Sequence, residues 1–486
     1  MSFLSQSVRR RADASPTQVL IIVCAGVVLA SLDLFIVNVA LPDIARDLHT
    51  RSLGDLSWVL NSYAIVYAAL LVLFGRLSES RRRENGFLLG VLVFTAASAA
   101  CGAASSLTLL VVFRIVQAAG AALLTPTSLS LVLATTEPER RHGAVRAWTA
   151  VGGLAAALGP VVGGLLVAAS WRWVFFVNVP IGLLAAFVGW RRLPQVAGHP
   201  VPRPDALGAV LVTAGVAVLT LGLVKGNAWG WGSAATLSAL AGSVIALSLF
   251  ALRCVRHHNP LIDVSLFRVR AFSGSSVVAI IFSVAFGAML LSIVLWDQDV
   301  WGWSALRTGL AVAPGPLMVP LFAFLVAGRL IPRFGPGPVI VVGATAFAAG
   351  AAWWALAVGL TPDYVGDMLG GMLLTGAGVG LTLPTFMAAG AASLPPQAFA
   401  TGSAVLNMLR QVGLAVGVAI LVAVIGSPGG PAAELSAFRD GWIVIAACSL
   451  IAAAAGGVLL RTPGRGRESD RVSAAAASPR AVPGQR

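Results

Sequence analysis

The chain has 486 residues, of which 58% are hydrophobic and only 11% charged, and its formal net charge is +14. A soluble domain carries about 25% charged residues because its surface faces water, so this composition excludes an ordinary soluble globular protein. The arginines stand in short clusters between apolar runs, which is typical of membrane-protein loops rather than of a nucleic-acid-binding surface. We therefore expect the surplus apolar surface to face lipid.

Apolar runs of roughly 20 residues recur along the whole chain, and each is long enough to cross about 30 Å of hydrocarbon. They are rich in Leu, Val and Ala without alternating polarity, which predicts helices rather than barrel strands. The sequence thus predicts an all-α polytopic membrane protein with fourteen transmembrane helices, at residues 17–41, 54–77, 86–104, 107–133, 143–168, 172–191, 205–224, 234–254, 271–296, 307–331, 338–360, 365–390, 402–426 and 438–461.

The distribution of arginine predicts the orientation of these helices. Clusters such as Arg9–Arg11 and Arg140–Arg141 lie before the first span and after several even-numbered spans, whereas the opposite loops hold acids and aromatics such as Asp297 and Trp301. Because positive loops stay in the cytoplasm, we expect both termini there, as tails at 1–16 and 462–486. The second tail is rich in Pro, Ser, Ala and Arg and is predicted to be disordered.

Two sequence echoes indicate an internal repeat. Residues 120–138, GAALLTPTSLSLVLATTEP, align without a gap to residues 378–396, GVGLTLPTFMAAGAASLPP, and GRLSES at 75–80 matches GRLIPR at 328–333. Both echoes place spans 1–6 over spans 9–14, as in repeat-built transporters. We predict a first six-helix bundle at 17–191, a second at 271–461, and two inserted linker helices at 205–254.

Asp33 and Arg114 are the outstanding charges inside predicted spans. At about 1.5 Å per residue, Asp33 lies roughly 20 Å into span 1 and Arg114 about 10 Å into span 4, which runs the other way, so their depths nearly coincide. A charge buried in a membrane is a functional candidate. Burial favours the protonated carboxyl and a nearby arginine favours the carboxylate, so the pair is a candidate proton-coupling site. A static pair that holds two helices together is the alternative.

A cluster of small residues lies in span 5, in the segment ALGPVVGG. Gly159 and Gly163 form a GxxxG step, which lets two helices approach closely, and Gly164 follows directly. Pro160 removes one backbone hydrogen bond and can bend the helix. Helix packing alone would also explain this cluster.

Other polar side chains within spans are candidates for a substrate cavity, although each could equally bond to a neighbouring helix. Arg410 lies about 12 Å into span 13, so it either faces the cavity or braces the two halves. These candidates are Asn38, Asn61, Tyr63, Tyr67, Gln117, Asn407, Arg410 and Gln411.

Taken together, these segments resemble the fourteen-span drug:proton antiporters of the major facilitator superfamily. The resemblance rests on LDLFIVNVALP in span 1, LVVFRIVQAAGAALLTPT in span 4, LGPVVGG with SWRWVFFVNVPIG in spans 5 and 6, and SAVLNMLRQVG in span 13. It implies a major facilitator fold and alternating access, with Asp33 and Arg114 in proton coupling. The antiporter motif of span 5, associated with export, falls on Gly159, Pro160, Gly163 and Gly164.

The loop between spans 2 and 3 departs from the pattern of this family, which reads Gly-x-Leu-Ala-Asp-Arg-x-Gly-Arg. Here it reads GRLSESRRR, so the acid is a glutamate, a serine replaces one Arg and an arginine replaces the second Gly. A glutamate can still pair with arginines and interact with a helix end. By the resemblance, the cytoplasmic gate comprises Gly75, Glu79, Arg81, Arg82 and Arg83.

The sequence therefore predicts a monomeric, proton-coupled exporter of small amphipathic compounds in a bacterial cytoplasmic membrane. Its partners are the bilayer and a small-molecule substrate, not nucleic acid, and protons replace any cofactor. Some relatives that export lipophilic cations carry an acid deep in span 10, and span 10 holds none here, so the resemblance implies neutral or weakly charged substrates. Neither a metal site nor an enzyme is expected, because no cluster of His, Cys or acidic residues is evident. The alternatives are an importer or a lipid or metabolite transporter of the same fold and, remotely, a membrane enzyme.

Overall fold

The computed structural model describes residues 14–50, 52–80, 82–196, 205–395 and 398–460. Within them, fourteen helices are long and apolar enough to cross a membrane, which agrees with the predicted number. In the first half these are α1 (Pro16–Asp47), α2 (Leu53–Leu77), α3 (Arg83–Gly102), α4 (Leu107–Thr135), α5 (Gly143–Val167) and α6 (Trp173–Arg192).

Two further helices follow, and then six that form the second half. The pair is α7 (Ala206–Trp229) and α8 (Ala234–Arg256). The second half comprises α9 (Arg270–Val300), α10 (Ala305–Phe334), α11 (Pro336–Ala357), α12 (Tyr364–Ala392), α13 (Thr401–Ile425) and α14 (Pro431–Leu459).

Short polar caps begin several of these helices. Ser15 accepts a hydrogen bond from the backbone N–H of Gln18, whose side chain accepts one from the N–H of Ser15, and Pro16 follows at the first helical position. Ser106, Ser233 and Asp205 cap α4, α8 and α7 in the same manner. These caps satisfy backbone donors that lipid could not satisfy, so the apolar runs end at defined residues.

The six helices of each half pack mainly with one another. The most extensive pairs are α3 with α4 and α1 with α5 in the first half, and α11 with α12 and α11 with α14 in the second. Helix α7 packs on α8 and also contacts α2 and α13, one from each half. Helix α8 carries an exposed apolar stripe that includes Val244, Ile245 and Val255, as a lipid-facing helix does.

The two halves meet closely at one face of the membrane. We call the face where α1 begins and α14 ends the terminal face, and the other the opposite face. A side chain on Gly164 of α5 would lie 2.6 Å from the carbonyl oxygen of Ala305 in α10, and Gln298 donates to the carbonyl of Val39 at 2.9 Å. Towards the terminal face, α10 buries no residue between Gly328 and Phe334. The seam between the halves is therefore closed at the opposite face.

Three turns of the second half are π-helical, at Trp296–Val300, Phe322–Ala327 and Tyr364–Met368. They lie at the end of α9, inside α10 and at the start of α12. Single π-turns within helices are frequent at functional positions. No π-turn occurs among the described residues of α1 to α8.

The first of these turns corrects one expectation from the sequence. We expected Asp297 in the loop after span 9, but α9 continues to Val300 and the Asp297 side chain is only 1% exposed. The apolar run ends at Trp296, so hydropathy does not predict the extra turn. The turn is held because Trp296 packs on Phe438 and Trp442, and because the Trp303 N–H donates to the Asp297 carbonyl at 2.9 Å.

Candidate transport site

A buried polar cluster surrounds Asp33 in the middle of the first half. Arg114 forms an ion pair with one carboxylate oxygen, and Gln117 donates to the other at 2.8 Å. Asn178 of α6 lies 3.4 Å from the same oxygen. Asp33 and Arg114 are both 0% exposed, so the carboxylate is sealed from both membrane faces in this conformation. The structure thus brings together the two charges that the sequence singled out.

The arginine of this cluster is itself held by several partners. Its Nε donates to the carbonyl of Val59 at 3.1 Å, and one terminal nitrogen donates to the side-chain oxygen of Gln117 at 2.7 Å. The guanidinium carbon lies 4.1 Å from the ring centroid of Tyr63, within the range of a cation–π contact. These contacts stabilise a charged arginine, and a charged arginine stabilises the Asp33 carboxylate.

Sequence reasoning missed two members of the cluster. Ser98 of α3 accepts hydrogen bonds from Gln117 at 3.1 Å and from Asn178 at 3.0 Å, and it donates to the carbonyl of Phe175. Asn178 lies in the SWRWVFFVNVPIG segment as a polar residue among apolar ones, and that was the available signal. Gln117, expected in the substrate cavity, instead belongs to this Asp33 cluster.

Two stacked tyrosines lead from this cluster towards the second half. Tyr63 and Tyr67 of α2 have ring centroids 5.9 Å apart and an interplanar angle of 7°. The Tyr67 hydroxyl bonds to Thr125 of α4 at 3.2 Å. Helix α2, which carries both rings, packs along α13, the helix that carries Arg410. A row of contacts therefore runs from Asp33 through Arg114 to the two rings, on a helix that packs against the second half.

The remaining cavity candidates divide into two groups. Asn38 and Asn61 donate within their own helices, to the carbonyl of Leu34 and to the hydroxyl of Ser57. Arg410 and Gln411 of α13 make no such hydrogen bond within the described residues, and the Arg410 Nε and the Gln411 Oε1 are buried without a partner there, as is the Oδ1 of Asn61. One turn earlier, Asn407 donates to the carbonyl of Ser403.

The small residues of α5 contact two different helices. A side chain on Gly159 would lie 2.6 Å from Cβ of Phe35, and one on Gly163 would lie 3.0 Å from the Ile36 carbonyl oxygen, both in α1. Gly164 faces α10 instead, and the carbonyl of Pro160 lies against Gly309 of that helix. This segment therefore joins the helix that carries Asp33 to the second half.

Part of the predicted gate lies outside the described residues. This applies to Arg81 and to the side chain of Glu79. Gly75 lies near Pro126 of α4, Arg82 precedes α3 without a side-chain cap, and Arg83 donates to the carbonyl of Ser130 at 3.3 Å. These contacts attach the start of α3 to α4.

One known family matches the chain over most of its length. The model of the Major Facilitator Superfamily matches residues 23–418. The chain belongs to the major facilitator superfamily. The family predicted from the sequence is thus confirmed, and so is the all-α fold with fourteen candidate spans. Members of this superfamily are membrane transporters, and the fourteen apolar helices agree with a location in the bacterial plasma membrane.

Curated relatives within this superfamily carry names of antibiotic export and resistance. The tetracenomycin C resistance and export protein of Streptomyces glaucescens is 33% identical over 88% of this chain and 78% of its own. The cephamycin export protein of Amycolatopsis lactamdurans is 33% identical over 91% and 92%. The methylenomycin A resistance protein of Streptomyces coelicolor is 34% identical over 83% and 84%.

Solved structures of major facilitator proteins share the fold. A bacterial homologue of the human lysosomal transporter Spinster, in an inward-facing and unoccupied conformation, has a TM-score of 0.65 at 17% identity and covers 93% of this chain and all of its own. A POT peptide transporter in complex with sulfate has a TM-score of 0.65 at 18% identity, with coverage of 92% and 96%. At these identities the likeness extends to the fold alone.

Proposed function

We propose that this protein is a proton-coupled exporter of small amphipathic compounds that works by alternating access. The observation that carries the coupling is the Asp33 cluster, in which a membrane-buried carboxylate is held by an arginine and an amide. The relatives named for antibiotic export and resistance support the direction of transport and the class of compound.

The proposed cycle starts from the ion-paired state described above. Arg114 stabilises the Asp33 carboxylate, so this conformation is the one from which the proton has left. Protonation of Asp33 removes the attraction to Arg114 and weakens the hold of α4 on α1. Because α5 packs on α1 through Gly159 and Gly163 and on α10 through Gly164, a shift of α1 reaches the seam between the halves.

This coupling is adequate to drive export. Moving one elementary charge through about 100 mV yields about 2.3 kcal/mol. By the relation between free energy and concentration, this supports a roughly fiftyfold ratio of substrate across the membrane. Sealing of Asp33 in this conformation also prevents a proton from crossing without substrate.

The test is transport into proteoliposomes under an imposed pH gradient equivalent to about 100 mV. Tetracenomycin C, cephamycin and methylenomycin A serve as the panel, because the relatives are named for them. We expect wild type to approach the roughly fiftyfold limit for at least one compound. Asp33→Asn should hold that ratio near one and still exchange labelled substrate in counterflow.

The matched control is Asp55→Asn, an acid of α2 that pairs with Lys225 at 2.6 Å and is 43% exposed. It should leave the gradient-driven ratio unchanged, because an exposed ion pair contributes little. Equal accumulation by wild type and Asp33→Asn would remove Asp33 from the coupling role. Accumulation in the direction of uptake would favour the importer alternative.

A further inference from the structure

We propose that Arg410 is the docking point for an anionic group of the transported compound, so that the preferred substrates are amphipathic aromatic acids. This inference rests on the proposed transport function and names its substrate class. It also narrows the expectation of neutral or weakly charged substrates to weak acids.

Arg410 lies deep in the membrane. Helical structure begins at Phe399, so Arg410 is about 16 Å along a helix that crosses about 30 Å of hydrocarbon. The residue is only partly exposed, its Nε is buried, and α13 packs along α2 of the first half, so the side chain lies among packed helices rather than in lipid. A cation at this depth costs free energy unless a partner compensates its charge.

No such partner is found among the described residues. Arg410 takes part in none of their ion pairs or side-chain hydrogen bonds, and its Nε is buried without an acceptor. Arg114, the other arginine at this depth, is bound by Val59, Asp33 and Gln117. Arg114 thus has an acidic partner and three hydrogen bonds, although one of its terminal nitrogens is buried without an acceptor, whereas Arg410 has neither an acidic partner nor a hydrogen bond among the described residues. A static brace between the halves would use the donors of Arg410.

The groups around Arg410 suit an aromatic acid. Gln411 is 1% exposed, and its Oε1 also lacks a partner. On α2, the partly exposed Tyr67 stacks one ring face on the buried Tyr63, and the second face of an aromatic ring packs well against an aromatic ligand. A guanidinium binds a carboxylate through two parallel N–H···O hydrogen bonds, which are roughly twice as strong as neutral ones. The charge and the rings together therefore favour an aromatic carboxylate over its neutral amide.

The position also connects substrate to proton. Tyr67 stacks on Tyr63, whose ring lies 4.1 Å from the guanidinium carbon of Arg114, the partner of Asp33. An anion that binds Arg410 and packs on Tyr67 would therefore contact the row of side chains that leads through Tyr63 and Arg114 to Asp33. Substrate and proton can then influence each other without direct contact.

The experiment measures binding of two probes of matched shape, 2-naphthoate and 2-naphthamide, to the purified full-length protein without any gradient. We expect wild type to bind the naphthoate at least about tenfold more tightly, because a hydrogen bond to a charged group is the stronger kind. Arg410→Gln should weaken naphthoate binding roughly 10- to 100-fold and leave naphthamide binding within about twofold. Arg410→Lys should restore part of the preference for naphthoate over naphthamide, since lysine keeps the positive charge but cannot donate two parallel hydrogen bonds to the carboxylate.

Arg329→Gln is the matched control, because Arg329 is exposed and donates to a carbonyl of its own helix. It should change neither affinity. The inference is overturned if wild type fails to bind naphthoate, binds both probes equally, or keeps its affinity in a folded Arg410→Gln variant. The wild-type comparison needs no variant, so a failure of Arg410→Gln to fold leaves it decisive.

Binding without a gradient separates this inference from proton coupling. Naphthoate binding through Arg410 with no gradient-driven transport of any compound would sustain the docking site and contradict the proposed function. Gradient-driven export of the antibiotic panel by a protein indifferent to the charge of the probe would do the reverse.

Discussion

At the scale of single residues, the first half satisfies its buried charge from several helices at once. Asp33 of α1 forms an ion pair with Arg114 and accepts a hydrogen bond from Gln117, both in α4. Ser98 of α3 accepts hydrogen bonds from Gln117 and from Asn178 of α6. Buried charges persist in proteins when they are paired and hydrogen-bonded. Each partner therefore contributes to the stability of the buried carboxylate.

Gln117→Leu tests that statement. The substitution removes the amide that donates to Asp33 at 2.8 Å, so the carboxylate form loses a stabilising bond. We expect the free energy of unfolding to fall by about 1.5–3 kcal/mol, because a hydrogen bond to a charged group is lost. The measurement is the unfolding of the purified protein in detergent.

Gln298→Leu is the companion variant, since it removes a buried glutamine at the opposite face that contacts Val39 rather than Asp33. It should lower the free energy of unfolding by only about 0.5–1.5 kcal/mol, because its bond joins two neutral groups. Equal stability of Gln117→Leu and wild type would show that the amide does not stabilise the buried carboxylate.

The sequence predicts part of this site, and the reason is geometric. Helical rise alone places Asp33 and Arg114 at one depth, and the structure pairs them. Depth does not say how each helix is rotated, so the bonds from Ser98 and Asn178 could not be derived. For the same reason, Asn38 and Asn61 were counted with the cavity although they bond within their own helices.

At the scale of helices, α5 contacts both halves, through α1 in the first and α10 in the second. Gly164→Ala would place a methyl group 2.6 Å from the Ala305 carbonyl oxygen at the seam with α10. Such overpacking costs typically about 1–3 kcal/mol. We expect the equilibrium to shift roughly 5- to 150-fold away from the conformation closed at the opposite face, since each 1.4 kcal/mol changes a ratio tenfold.

The shift is measured by maleimide labelling of Ala305→Cys, a position only 6% exposed, in a background whose four native cysteines are replaced by serine. Labelling should accelerate in the presence of Gly164→Ala. Gly153→Ala lies on the same helix with nothing within 4 Å of the added carbon, so it should not change the rate. Identical rates in both variants would mean that the α5–α10 contact does not limit opening.

The two linker helices are held together at the terminal face by a buried ion pair. Arg253 Nε of α8 donates to both carboxylate oxygens of Asp205, at 2.7 and 2.9 Å, and Gly208 N–H donates at 2.9 Å. Burial by itself would raise the pKa of Asp205, but the Gly208 N–H and the Arg253 guanidinium hold that pKa below its usual value. The pair therefore stabilises the fold above about pH 4, the usual value for Asp, and this contribution is lost as the pH falls through the lower folded-state pKa.

Asp205→Asn isolates this effect, because asparagine caps a helix as well as aspartate does. We expect the variant to be less stable by about 1–3 kcal/mol at pH 7, the range for hydrogen bonds to charged groups, and the difference from wild type to shrink below about pH 4. Thermal unfolding of both proteins at pH 7 and pH 3.5 is the measurement. Asp263→Asn, an exposed cap without an ion pair, serves as the control. A deficit that is equal at both pH values would contradict the assignment.

At the scale of the whole molecule, hydropathy and internal repetition predict the number of helices, because lipid forces each apolar run to close its own backbone hydrogen bonds. The placement of α7 was beyond that reasoning. It contacts α2 through the ion pair of Lys225 and Asp55. It contacts α13 through the hydrogen bond that Asn227 donates to the Ala423 carbonyl. These are tertiary contacts, which a pattern of apolar residues does not encode. Helix α7, predicted as an inserted linker between the two halves, thus contacts both of them.

The π-turns of α9, α10 and α12 distinguish the helices of the second half from the regular helices of the first. Each π-turn closes hydrogen bonds five residues apart rather than four, so the side chains that follow it point in other directions than a regular α-helix would give them. The described residues of α1 to α8 contain no such turn. The directions of side chains in the second half are therefore set in part by where these three turns lie.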